Sequence, residues 1–131
     1  MNIKSLGPKS VAPFFVLSGL MEMGAGVGLI LAPDFAVGLI FGSSGTAPAV
    51  ALARLAGVAL ASLGIACWLA RHDGTSAASR ALVSAMSTYN SMVVALVLTG
   101  SLGPLGPMLS GLALLHGAMS VWCVLLLRDP S

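Results

Sequence analysis

Four long apolar stretches make up most of this chain, and they constrain its fold more than any other feature. Only 8% of the 131 residues are charged and 57% are hydrophobic, whereas soluble domains carry about 25% charged residues. A helix needs about 20 apolar residues to cross a hydrocarbon core of roughly 30 Å, because each backbone amide in lipid must bond within its own segment. The sequence therefore predicts an all-α integral membrane protein with four spanning helices.

Prolines and short links set the expected helix boundaries. Pro13, Pro48 and Pro107 lie near helix starts, where proline is tolerated because the first-turn amides have no partner in the helix. The short links predict antiparallel neighbouring helices. We predict a single membrane domain over residues 1–131, folded as an antiparallel, up-down-up-down four-helix bundle. The expected helices cover about residues 13–32, 48–70, 81–99 and 107–127.

The link between the first two spans is the longest and contains an apolar run from Phe35 to Phe41. This run is too short to cross a membrane. Two interpretations stay open for it. It either lies along the membrane interface as an amphiphilic turn or packs on the bundle as an ordinary apolar loop.

The basic residues that flank the predicted spans indicate the orientation of the chain. Cytoplasmic segments of membrane proteins carry an excess of lysine and arginine. We therefore predict a multi-pass membrane protein with both termini in the cytoplasm. The net charge of +2 then reflects topology, and we expect no nucleic-acid partner. The residues on the predicted cytoplasmic side are Lys4, Lys9, Arg71, Arg80 and Arg128.

Each predicted span also contributes one strongly polar side chain near the membrane centre. Glu22 lies nine residues after Pro13, which is about 13 Å at the rise of an α-helix. Because an unpaired charge in hydrocarbon costs several kcal/mol, we expect Glu22 and Arg54 to lie near each other. The candidates for ligand binding or proton coupling are Glu22, Arg54, Tyr89, Asn90 and His116.

The same polar side chains are equally consistent with a structural role. Buried polar groups fix helix register in a bundle that no hydrophobic effect aligns. His116 has Ser120 four residues later, a pattern more typical of a hydrogen-bonded core histidine than of a metal or haem ligand. The sequence predicts no catalytic residue, metal site or cofactor.

Small residues at four-residue spacing indicate close helix packing. Side chains without bulk let membrane helices approach each other and gain packing contacts. We expect the small face of the second span to pack against the first span or against a second copy of the chain. The predicted packing residues are Gly24 and Gly28 in the first span and Ala53, Gly57 and Ala61 in the second.

Several short motifs resemble those of small bacterial four-helix membrane proteins of the broad DoxX-like kind. They are Leu31-Ala32-Pro33-Asp34, then Ala53-Arg54-Leu55-Ala56-Gly57, then Leu63-Gly64 with Trp68-Leu69-Ala70-Arg71, and finally Asn90. The resemblance covers most of the chain. It implies a four-helix, multi-pass protein of the bacterial inner membrane and transfers no catalytic residue.

Three classes of function fit these features. The first is a non-enzymatic membrane protein that self-associates, or acts as an accessory or ligand-binding subunit, with membrane lipid, further copies or a larger complex as partners. The second is a proton-coupled small-molecule transporter in which Glu22 exchanges protons. The third is a membrane enzyme for a lipid or quinone, with Glu22 or His116 as general acid or base. We favour the first, since no nucleophile stands beside an oriented base.

Overall fold

The computed structural model describes residues 11–128, which form five helices and, within that range, no strand. Four of the helices are long and apolar enough to cross a membrane. The prediction of an all-helical protein with four candidate spans is thus confirmed. The helices are α1 (Val11–Leu31), α2 (Pro33–Phe41), α3 (Ala47–Ala70), α4 (Ala77–Leu98) and α5 (Pro107–Arg128).

The start of α4 differs most from its predicted position, because the helix begins at Ala77, four residues before the expected start. Ser76 is the N-cap, and its hydroxyl accepts a hydrogen bond of 3.0 Å from the backbone N–H of Ser79. Such a cap satisfies an amide that the first turn leaves without a partner. The cap therefore extends the helix through Arg80, which the prediction had placed in the link.

The apolar link after α1 forms the regular helix α2, where the sequence predicted a turn or a loop. Pro33 occupies the first turn, where its fixed φ favours a helix. Gly42 ends the helix with a φ of 74°, and its N–H donates to the carbonyl of Gly38 at 2.9 Å. A left-handed glycine is a common helix terminator. One side of α2 is buried through Pro33 and Val37, whereas the other exposes Phe35 (71%) and further apolar side chains.

The described residues divide into two compact units. The N-terminal unit consists of residues 15–71, and therefore of most of α1 together with α2 and α3. The C-terminal unit combines α4 and α5 with the first four described residues, 11–14. The prediction of a single domain stays a prediction.

In the N-terminal unit, α1 and α3 approach each other backbone to backbone at glycines. A Cβ atom on Gly26 would lie 2.6 Å from the carbonyl oxygen of Gly57 and 2.6 Å from the backbone nitrogen of Ala61. A Cβ atom on Gly64 would lie 2.9 Å from the carbonyl oxygen of Gly19. Later residues of α1 therefore meet earlier residues of α3. These distances leave no room for a side chain at Gly26, Gly57 or Gly64.

The glycines of α1 that make this approach differ from the predicted pair. A Cβ atom on Gly24 or Gly28 would meet no atom of the described residues within 4 Å, and both positions are exposed. Gly19 and Gly26 make the contact instead, two helical turns apart. On α3 the predicted residues Gly57 and Ala61 do contact α1, and Ala53 is half-buried.

In the C-terminal unit, α4 and α5 are joined by side chains along much of their length. The hydroxyls of Ser91 and Ser120 are 2.7 Å apart. Arg80, near the start of α4, donates to the carbonyl of Leu127, near the end of α5, at 3.5 Å. Earlier residues of α4 therefore meet later residues of α5. Apolar side chains fill the interior of this unit, with Val83, Met86, Met119 and Cys123 all buried.

We expect Gly26→Ala to destabilise the protein and Gly24→Ala to leave it nearly unchanged. An added methyl group at position 26 collides with backbone atoms of α3, and overpacking of this kind costs about 1–3 kcal/mol. The same change at position 24 meets open space. Reversible unfolding of the purified protein in mixed micelles measures both free energies. Equal values for the two variants would contradict the observed helix contact.

Candidate functional site

The centre of the candidate site is a hydrogen bond between two buried polar side chains in the C-terminal unit. The Nδ1 atom of His116 on α5 lies 2.7 Å from Oδ1 of Asn90 on α4. The side chains are 6% and 1% exposed, respectively. Both residues are within three positions of the middle of their helices, which span 77–98 and 107–128. The structure thus brings together two of the predicted candidates in the middle of two candidate spans.

A second hydrogen bond fixes the direction of the first. The Nδ2 group of Asn90 donates to the backbone carbonyl of Met86 at 2.7 Å. A carbonyl oxygen only accepts hydrogen bonds, so the amide nitrogen must face Met86 and the amide oxygen must face His116. The amide oxygen also only accepts, and therefore Nδ1 of His116 carries the proton. Asn90 selects this tautomer of the neutral ring.

The other ring nitrogen of His116, Nε2, then carries a lone pair in the neutral ring. It makes no hydrogen bond within residues 11–128. Among the described residues, the hydroxyl oxygen of Ser18 is the one fully buried polar side-chain atom that lacks a hydrogen-bond partner. Because Nε2 of His116 also lacks a partner and is not such an atom, it is not fully buried. It is a hydrogen-bond acceptor with a fixed direction and some remaining access.

Tyr89 holds the imidazole from the side. Its ring centroid lies 5.4 Å from that of His116, and the two ring planes are inclined at 85°. An edge-to-face arrangement of this kind is favourable for aromatic rings. Asn90 and Tyr89 are adjacent in α4, so one turn of this helix fixes both the tautomer and the tilt of the ring. Three of the five predicted candidates therefore form one local site.

Glu22 and Arg54 belong to the N-terminal unit and differ in their surroundings. The side chain of Glu22 is 5% exposed and lies one residue past the middle of α1. Arg54 on α3 is exposed and, within residues 11–128, makes no hydrogen bond or ion pair. The expected pair between them is thus not formed in the described residues, because Glu22 is buried whereas Arg54 is exposed.

Ser18 is a buried polar residue that the sequence reasoning missed. It is 1% exposed, and its hydroxyl has no hydrogen-bond partner among the described residues. Ser18 precedes Glu22 by four residues, so the two occupy the same side of α1. The spacing of four residues between two polar side chains on an apolar helix is the sequence signal that would have predicted a buried Ser18.

The hydroxyl groups along α4 do not add a second site. Those of Ser84 and Thr88 donate to carbonyl oxygens one turn earlier in their own helix, at 2.9 and 3.1 Å. Such bonds satisfy a hydroxyl in lipid without a neighbouring helix. Ser91 bonds across to α5. Within the described range, no three His, Cys, Asp or Glu side chains are placed to hold a metal ion.

Comparisons with known proteins give no relative for this arrangement. No family model matches the chain, and neither a curated protein nor a solved structure is significantly similar to it. The resemblance to DoxX-like proteins therefore stays a prediction.

We expect Asn90→Ala to change the tautomer of His116 as well as the stability of the protein. The substitution removes the acceptor that holds the proton on Nδ1, and a buried donor without a partner costs about 1–3 kcal/mol. Ser91→Ala is the matched control, since it removes a bond between exposed or half-buried hydroxyls and should cost only about 0.6 kcal/mol.

Nitrogen NMR of histidine-labelled protein in lipid measures the tautomer, and unfolding in mixed micelles measures the stability. The wild type should carry its proton on Nδ1 of His116, and Asn90→Ala should lose that preference. A proton on Nε2 in the wild type would contradict the assigned hydrogen-bond direction.

Proposed function

We propose that this chain is a multi-pass protein of the bacterial inner membrane, folded as an antiparallel, up-down-up-down bundle with both termini in the cytoplasm. Four candidate spans support the membrane location. The order of contacts between α1 and α3 and between α4 and α5 supports antiparallel pairs. The five basic flanking residues support the orientation.

A reporter fused at Ser131 should be active in the cytoplasm, and one inserted near Ser44 should be active outside it. The expectation follows from the basic residues, which would then all lie on the cytoplasmic side. Alkaline phosphatase and a fluorescent protein serve as the reporters that distinguish the two locations. A periplasmic Ser131 would contradict the proposed orientation.

Within this membrane protein, the chain serves as a non-enzymatic ligand-binding or accessory subunit. The observation that carries the proposal is the 2.7 Å bond between His116 and Asn90. It commits Nδ1 as a donor inside the protein and leaves Nε2 as an acceptor. A polar site of few, well-oriented groups in apolar surroundings is typical of small-molecule binding sites.

The ligand class follows from the acceptor. A partner of Nε2 must bring a hydrogen-bond donor. It must also partition into the membrane, because the site lies in the middle of two apolar helices. A lipophilic molecule with a hydroxyl or phenolic group meets both requirements. A bound donor would satisfy the ring nitrogen that makes no hydrogen bond in the described residues.

We expect a long-chain alkyl phenol to bind at His116 and its methyl ether to bind at least tenfold more weakly, since only the phenol can donate to Nε2. A tenfold difference corresponds to about 1.4 kcal/mol, the scale of one hydrogen bond in a buried site. Titration of histidine-labelled protein in bilayers, followed by nitrogen NMR, measures the affinity through the Nε2 resonance.

The chain supplies its own control for this titration. His72 is exposed in the link between α3 and α4, so its resonances should not respond to either compound. His116→Phe should abolish saturable binding of the phenol. Equal affinities for the phenol and the ether, or a shift at His72 alone, would contradict the proposal.

A second candidate function is proton-coupled transport through Glu22. Its support is the burial of this carboxyl group in the middle of α1. Under this alternative, Glu22→Gln abolishes uptake of ethidium driven by a pH gradient in proteoliposomes. Under the binding proposal, the same variant retains its affinity for the alkyl phenol.

A further inference from the structure

Arg54 is a charged side chain on an apolar, exposed surface. It is the one charged residue in the sequence of α3, and it is exposed without a hydrogen-bond or ion-pair partner within residues 11–128. Its exposed neighbours are apolar, with Leu55 67% exposed and Val58 also exposed. A charge without a counterion is costly in hydrocarbon. An anion from outside residues 11–128 would offset this cost.

The position of Arg54 along α3 indicates where that anion lies. Arg54 is seven residues after Ala47, the first residue of α3, which is about 10 Å along the helix axis. The Cα–Cβ bond of a helical residue tilts toward the helix start. A long arginine stem also lies along apolar surface while its charged head reaches the interface. A snorkelling Arg54 would place its guanidinium near the membrane surface at which α3 begins.

The helix α2 borders this same end of α3. A Cβ atom on Gly45 would lie 3.2 Å from side-chain atoms of both Val37 on α2 and Val50 on α3. The exposed side of α2 carries Phe35, and the exposed side of α3 beyond Arg54 carries Leu55. Apolar surface for acyl chains and a positive charge near the interface therefore occur in one unit.

A phospholipid fits this surface because it brings an anion for Arg54 together with acyl chains for the exposed apolar side chains. Glu22 is buried in its own chain, so it cannot reach the Arg54 of a neighbouring molecule. Asp34 and Asp73 are exposed, so a carboxylate of a second copy is the alternative partner that the experiment distinguishes. Phosphate oxygens match the planar fork of a guanidinium and accept two parallel hydrogen bonds from it.

We propose that Arg54 binds the phosphate of a phospholipid whose acyl chains lie against the exposed apolar surfaces of α2 and α3. The site is distinct from the one at His116, and it gives the protein a fixed lipid at the membrane surface where α3 begins. Free phosphate has the same chemistry as the headgroup but no acyl chains, so the two sources are separable by experiment.

Native mass spectrometry of the full-length protein tests the proposal with three probes. They are dioleoylphosphatidylglycerol, dioleoylglycerol without a phosphate, and inorganic phosphate. The wild type should retain the phosphatidylglycerol, and Arg54→Met should retain it at least tenfold less. Dioleoylglycerol should not be retained, and equimolar inorganic phosphate should not displace the phospholipid.

Arg71→Met is the matched control for the loss of one arginine. The guanidinium of Arg71 stacks on the ring of Trp68 at 4.3 Å and donates to the carbonyl of the same residue. Because this guanidinium already has partners, the control should retain phosphatidylglycerol as the wild type does. Equal losses in both variants would overturn the proposal, as they would indicate nonspecific attraction between charges.

Solid-state NMR on the wild type keeps the test independent of variant folding. Nitrogen-labelled arginine in phosphatidylglycerol bilayers should show dephasing of one guanidinium signal by lipid phosphorus, and that signal should be absent from Arg54→Lys. No phosphorus contact at Arg54 would overturn the proposal. It would also be overturned if Arg54→Met dissociated a dimer without changing lipid retention, since the partner would then be a second copy.

Discussion

The structure depends on one property of lipid: it offers no hydrogen-bond partner to a polar group. Backbone amides meet this constraint in helices, and Ser84 and Thr88 meet it by bonding to carbonyls of their own helix. Asn90 meets it with a chain of two bonds, one to its own helix and one to His116. Ser18 and Arg54 have no hydrogen-bond partner for their side chains among the described residues.

The apolar character of lipid explains why glycine holds α1 and α3 together. Lipid tails are as apolar as the helix surfaces, so burial alone gives no preference for one helix over lipid. Close backbone approach supplies packing contacts that lipid cannot match. Gly26 and Gly57 reach this approach at distances that exclude any Cβ atom. The α4–α5 pair instead uses polar side chains between the helices.

The imidazole of His116 is held in one orientation and one tautomer. Here the amide of Asn90 is fixed by Met86, and it in turn fixes the proton on Nδ1 of His116. Tyr89 restricts the tilt of the same ring. The ring is therefore preorganised to accept a hydrogen bond, which is the physical basis of the proposed binding function.

The sequence by itself determined the four candidate spans, the central depth of Glu22, Asn90 and His116 in their helices, and the small-residue face of α3. Hydropathy and periodicity carry this information, because they depend on distance along the chain. Periodicity states which residues share a side of a helix but not which side meets a neighbour.

Only the tertiary structure therefore decided that Gly19 and Gly26 approach α3, that Gly24 and Gly28 remain exposed, and that Arg54 does not pair with Glu22. The bond between Asn90 and His116 likewise depended on the register of α4 against α5, because a shift of one residue would turn either side chain about 100° around its helix.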